Sequence, residues 1–196
     1  MIAYINGTIT FKSPVYLLIE TGGIGYQVFI SLNTFSAVPD KGPCRLLTHL
    51  HVTDSSHTLY GFADELEKSL FGLLITVSGI GPSTARMALS SLSPAELQKA
   101  ILHENLPLIQ GIKGIGPKSA KRIVLELKDK VIKTADENLQ TISAPSNNSI
   151  REEALSALVA LGFNKSAAEK AVQKAISSGE QIANVESLIK QSLKSL

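Results

Sequence analysis

One nine-residue pattern occurs twice in this chain and constrains its architecture more than any other feature. Ser78-Gly79-Ile80-Gly81-Pro82-Ser83-Thr84-Ala85-Arg86 returns 35 residues later as Lys113-Gly114-Ile115-Gly116-Pro117-Lys118-Ser119-Ala120-Lys121. Each copy lies between helix-forming stretches, so the repeating unit is helix–turn–helix, and a repeat is read before any single motif. Two glycines flanking Ile80 or Ile115 let the backbone turn tightly with its N–H groups outward, while the isoleucine anchors the turn in a core. The proline that follows suits the first position of a helix, where its missing N–H is harmless. The product is a helix N-terminus with open donors and the positive end of a dipole, which suits phosphate. Ala85 and Ala120 let the two helices of each unit pack tightly.

Three other readings compete. Gly79, Gly81, Gly114 and Gly116 could serve only as helix caps, and a single copy would leave that reading level with phosphate binding. Two copies, with Lys118, Lys121 and Arg122 crowding the second, favour the phosphate backbone. Such contacts position a protein on nucleic acid without reading its sequence. A nucleotide-binding loop of the G-x4-G-K-[ST] type fails because Pro117 separates Gly116 from Lys118 and no strand precedes it. A dinucleotide fingerprint fails because Ser119 or Ala120 stands where its third glycine belongs.

The rest of the chain divides by composition. Its 196 residues, 44% of them apolar, allow one large domain or two to three small ones. Residues 1–63 hold most of the aromatics in β-branched runs, which read as five strands over 2–9, 15–20, 26–32, 45–52 and 58–62. Five short strands close most economically into a small barrel, since closure removes exposed edges. Residues 64–133 carry Leu and Ile at helical spacing. Asp64 is placed to cap one helix, Ser93-Pro94-Ala95-Glu96 is a capping box, and a last helix is expected over about 117–132. Within that region 113–133 holds seven basic against two acidic residues, although the whole chain is nearly balanced at 19 against 17. Residues 134–149, TADENLQTISAPSNNS, have linker composition. Helical spacing resumes over 150–196 and is expected to give a three-helix bundle.

Together with MIAYINGTI, GGIGYQV, HLHVTDSSHTLYGF and EEALSALVALGF, the paired GIGPxxA motifs make the whole chain resemble the RuvA family, the Holliday-junction-binding subunits of the RuvAB branch-migration complex. The resemblance implies a multidomain α+β protein: an OB-fold β-barrel (1–63), a tandem helix-hairpin-helix DNA-binding domain (64–133), a flexible linker (134–149) and a motor-binding three-helix domain (150–196). It also implies a homotetramer, or an octamer on DNA, that holds an open four-way junction. The implied partners are the RuvB ATPase hexamer and the RuvC resolvase. The implied setting is recombination, repair of DNA damage and the SOS response in the cytoplasm, with no cofactor.

Residue by residue, the resemblance carries backbone binding onto Gly79, Gly81, Gly114, Gly116, Lys118, Lys121 and Arg122. Ser83 stands where the family often has lysine, so a hydroxyl replaces one charge. The family's acidic pin falls on Asp54 and Ser55, with Ser55 in place of the second acid. Asp54 read by itself is ordinary turn chemistry. Leu158, Leu161 and Phe163 form an apolar stripe that is core in most small bundles, and the resemblance makes it a surface for RuvB.

Remaining candidates are plain. His49 and His51 share a strand face, but neither Cys nor carboxylates complete a metal set with His57. Cys44 has no partner placed to activate it and reads as a small hydrophobe, and one cysteine excludes an internal disulfide framework. The N-terminus lacks the pattern of a secretory signal, and no apolar stretch approaches the roughly 20 residues of a membrane span. Two function classes remain: a non-catalytic binder of DNA shape that organises a motor, and a helix-hairpin-helix glycosylase or nuclease. Asp129, the first aspartate beyond the second motif, sits between Lys128 and Lys130 and lacks the clustered carboxylates that a metal nuclease needs.

Overall fold

The computed structural model describes residues 1–140, 147–177 and 184–195. Five strands, β1 (Tyr4–Lys12), β2 (Tyr16–Thr21), β3 (Ile24–Ile30), β4 (Gly42–Thr53) and β5 (Ser56–Phe62), form a closed barrel in the order β1-β2-β3-β5-β4. All neighbours are antiparallel except β3 and β5, where Val28 faces Leu59 in parallel register. This is an OB fold. Alternation fixes which face is inside: Ile5 and Ile9, Leu17 and Ile19, and Val28 and Ile30 are all 4% exposed or less. A bulge between Ile9 and Phe11 shifts the β1–β2 register, as barrel closure commonly requires.

The expected strands are present but their ends move. The run 26–32 ends two residues early, because Leu32–Ala37 form a helix, α1, that sequence reading missed. Asn33, Thr34 and Phe35 are indifferent helix formers. The helix exists because Ser31 accepts a hydrogen bond from the Thr34 amide and because Thr34 and Val38 are buried beneath it. β4 begins at Gly42, three residues before the expected run, and β3 begins at Ile24, two residues before it.

Five helices follow: α2 (Glu65–Ile75), α3 (Pro82–Ser91), α4 (Pro94–Leu102), α5 (Leu106–Gln110) and α6 (Pro117–Gln140). Asp64 caps α2 and the Ser93–Glu96 capping box starts α4. Their apolar faces enclose one core that also takes Tyr60 and Phe62 from β5, both within 5.0 Å, centroid to centroid, of the Phe71 ring. Ile123, Leu127 and Val131 line the inner face of α6. That helix runs to Gln140, seven residues into the stretch read as linker, and α7 begins at Asn147. Residues 141–146 of that stretch lie outside the described residues.

Residues 1–134 and 135–196 are separate compact units. In the second, α7 (Asn147–Ala160), α8 (Lys165–Ser177) and α9 (Val185–Leu193) pack around Ala154, Leu158, Ala168, Val172, Ala175 and Leu188. Gly162, at φ +97°, ends the α7 turn. α8 ends at Ser177, and residues 178–183 lie outside the described residues.

Candidate nucleic-acid interface

The two sequence repeats become one structural motif built twice. Ile80 N donates to Val77 O and Ile115 N donates to Ile112 O, each at 3.0 Å. Ala85 N donates to Gly81 O and Ala120 N donates to Gly116 O, each at 2.9 Å. Ile80 and Ile115 are both 4% exposed, and Ala85 and Ala120 are fully buried, so each turn is pinned from within.

The four glycines divide into two classes. Gly79 and Gly114 have φ of +90° and +93°, in the region an L side chain avoids. The turn itself requires them. Gly81 and Gly116 have no such backbone, and an added Cβ at either would meet no protein atom within 4 Å. Both are exposed, and each immediately precedes a helix. Gly81 caps α3 with no side-chain hydrogen bond. The fold therefore makes no use of the missing side chain at these two positions, and what it leaves is bare backbone at the surface.

Charge is distributed unequally between the copies. Lys118 and Lys121 are exposed, without a hydrogen bond or ion pair among the described residues. Arg86, at the position matching Lys121, instead turns to the barrel. Its Nη1 donates to Val15 O at 2.9 Å and Ile30 O at 3.4 Å, with the guanidinium 5.6 Å from the Phe29 ring centre. Arg122, expected as a free phosphate ligand, is partly committed. It donates to Ser78 O at 3.2 Å, pairs with Glu126 at 3.6 Å, and keeps half its side chain in water. Ser83 is exposed on the first turn of α3. Arg86 and this role of Arg122 were missed, because neither spacing nor composition says which cation faces inward.

Asp54 and Ser55 form the tip of the β4–β5 hairpin, both exposed. The turn is held by its neighbours: Thr53 Oγ1 accepts from Ser56 N at 3.1 Å and contacts Ser56 Oγ at 2.9 Å. The Asp54 carboxylate takes no part, and among the described residues it has no partner. The turn is thus closed by the Thr53 and Ser56 side chains, without the Asp54 carboxylate.

In the second unit the apolar stripe divides. Leu158 is fully buried in the bundle core, so it is corrected from partner contact to core residue. Phe163 is half-buried against that core, while Leu161 is 63% exposed. Leu158 lies within α7 while Leu161 and Phe163 follow its end at Ala160, and periodicity alone does not say which apolar residue the neighbouring helices cover.

His49 lies edge-on to Phe71 at 5.4 Å, and burial, then His51 and Lys68, lower its pKa from the ordinary value. Cys44 is half-buried against the barrel core, and burial raises its thiol pKa. Among the described residues no three His, Cys, Asp or Glu side chains gather as a metal set, and no helix is long and apolar enough to cross a membrane.

Comparison with known proteins accords with this geometry. Residues 1–61 match the family model for the RuvA N terminal domain, 71–129 the SAM-like helix-hairpin-helix tandem, and 149–196 the RuvA C-terminal domain. A relative from Christiangramia forsetii, named Holliday junction branch migration complex subunit RuvA, is 48% identical over the whole of both chains. Relatives of the same name from Cytophaga hutchinsonii and Flavobacterium psychrophilum are each 46% identical, over 99% and 100% of both chains respectively. A barrel, a doubled hairpin and a terminal helical unit in this order, matched from end to end at such identity, make the chain a member of the RuvA family.

Proposed function

We propose that this protein is the DNA-binding, non-catalytic subunit of a Holliday junction branch migration complex. It grips four-way junctions by their phosphates and brings a RuvB ATPase hexamer to them. The observation that carries the reading is the pair Gly81 and Gly116. Their bare backbone is unexplained by the fold and is what a phosphate needs in order to approach a helix N-terminus.

Each residue then has a task. Gly79 and Gly114 shape the turns, Gly81 and Gly116 admit the phosphates, and Ser83 offers a neutral donor. Lys118, Lys121 and the open part of Arg122 supply the charge. Asp54 is the pin, repelling phosphate from the barrel tip. Leu161 and Phe163 supply apolar surface to the motor. One chain offers one pair of hairpins, so a homotetramer matches the four arms of a junction, and doubling it to an octamer would enclose the DNA. RuvC resolvase is the further expected partner, and the cytoplasm the expected setting.

Fluorescence anisotropy with a four-way junction and a linear duplex, at one salt concentration, tests this. Junction affinity should exceed duplex affinity by about 100-fold, as expected of several linked weak contacts. It should fall steeply with added salt. Equal affinities, or strand cleavage in Mg2+, would sink the proposal.

A further inference from the structure

We infer that residues 30–34, with Glu67 and Arg86, form a polar clasp that sets the paired hairpins at a fixed position relative to the Asp54 turn, and so sets the preference for junction over duplex. The inference rests on the junction reading above, and it concerns residues that lie on neither hairpin turn.

Every residue of this five-residue segment bonds to the helical part. Ile30 O accepts from Arg86 on α3. Ser31 Oγ and Thr34 Oγ1, the latter at 2.6 Å, bond the two carboxylate oxygens of Glu67 on α2. Leu32 N donates to Ser90 Oγ at 3.1 Å. Asn33 Nδ2 donates to Leu89 O and, at 3.0 Å, to Leu92 O, closing the C-terminal end of α3.

The direction of the bonds to Glu67 follows from the rest of the network. Ser31 Oγ already accepts from Thr34 N at 3.0 Å, and Thr34 Oγ1 from Ala63 N at 3.1 Å. Each hydroxyl thus accepts one backbone N–H and donates its proton to Glu67, which accepts at both carboxylate oxygens. A carboxylate accepts at both oxygens, whereas an amide in its place would set an N–H2 group against one of the two hydroxyls. Burial pushes the Glu67 carboxyl pKa up, while the two hydroxyl donors pull it down.

Apolar contacts such as Phe62–Phe71 hold the same interface together but tolerate sliding. Buried, directional hydrogen bonds fix angle and register, and a half-satisfied set is costly. The barrel turn bearing Asp54 and the hairpins bearing Gly81 and Gly116 are thus joined through one rigid connection. A duplex needs only the hairpins. A junction needs hairpins and turn in register.

The test uses the full chain carrying Glu67→Gln, Thr34→Val or Thr34→Ser. Each is measured for thermal unfolding, for affinity to four-way junction and duplex, and for the salt slope on duplex. Glu67→Gln and Thr34→Val should lower the junction-to-duplex affinity ratio about fivefold, within the range of coupling reported for residues touching neither site. Duplex affinity and salt slope should stay at wild-type values. Thr34→Ser, which keeps the hydroxyl, should restore the wild-type ratio. An unchanged ratio in folded Glu67→Gln and Thr34→Val overturns the clasp, and so does a parallel loss for both DNAs. If neither folds, Asn33→Ala, which removes contacts at the half-buried edge of the network, decides by the same ratio. A wild-type protein without junction preference removes the junction reading itself, so the two failures are distinct.

Discussion

The guanidinium of Arg122, in the helix leaving the second hairpin, donates to the main-chain carbonyl of Ser78, in the turn of the first, at 3.2 Å. On the same seam, a Cβ placed on Gly114 would touch Thr84 at 3.6 Å. The two hairpin turns are therefore one platform, and a cation that composition assigns to DNA is shared with the protein. Arg122→Met should lower stability by about 1 kcal/mol, the usual net worth of a hydrogen bond at a half-exposed site. Urea unfolding measures the loss. A change in DNA affinity with wild-type stability would return Arg122 to a purely DNA-binding role.

Among the described residues Lys118 and Lys121 have no protein partner, so neutralising them should act on binding alone. Lys118→Ala should reduce the salt slope of duplex binding by about 0.9, the value for one phosphate contact, and leave urea unfolding unchanged. Ser83→Lys should raise the slope by the same amount. Titrations at several salt concentrations report both.

The glycine classes predict opposite outcomes for one substitution. Gly79→Ala and Gly114→Ala force alanine to positive φ and should destabilise by about 1–2 kcal/mol. Gly81→Ala and Gly116→Ala should fold as wild type yet lose affinity for junction and duplex alike. Normal DNA binding by folded Gly81→Ala and Gly116→Ala together would remove the main support for the phosphate sites.

Asp54 carries an uncommitted charge at a turn that Thr53 and Ser56 hold. A phosphate approaching within a few ångströms meets a repulsion of about 1–4 kcal/mol at effective dielectrics of 80 to 20. Asp54→Asn should tighten duplex binding and reduce selectivity, and Ser55→Asp should do the reverse, with folding unchanged in both. Silence in both variants would end the pin assignment and leave the hairpins untouched.

His49 makes stability depend on pH in a known direction. The folded chain holds its pKa below 6.5, mainly by burial, so on the acid side of that value the unfolded chain binds more protons. The stability His49 contributes is fully present above pH 6.5 and is lost as pH falls through the lowered folded value. His49→Phe keeps an aromatic edge toward Phe71 and should flatten this part of the curve in urea unfolding at stepped pH.

In the terminal unit, Leu158→Ala should cost about 2–5 kcal/mol as a cavity in the core. Leu161→Asp should leave melting unchanged and weaken stimulation of the RuvB ATPase. Full stimulation by Leu161→Asp would place the motor contact on another face.

By itself the sequence determined whatever depends on near neighbours. Alternating Ile, Leu and Val wrote the barrel strands, Asp64 and Ser93 wrote two helix starts, and the repeated Gly-Ile-Gly-Pro wrote both turns, because each is decided within a few residues. Contacts between distant segments were decided only by the tertiary structure. Leu32 reads as the end of a strand, yet it opens a helix whose first turn is bonded to Glu67 and α3. Arg86 and Lys121 hold the same place in the repeat, yet one reaches the barrel carbonyls of Val15 and Ile30 and the other faces water. Leu158 and Leu161 are equally apolar, and only the packing of α8 and α9 against α7 buries one and leaves the other exposed. Local pattern fixes where a side chain sits on its own element; what covers it is fixed by the elements that arrive from elsewhere in the chain.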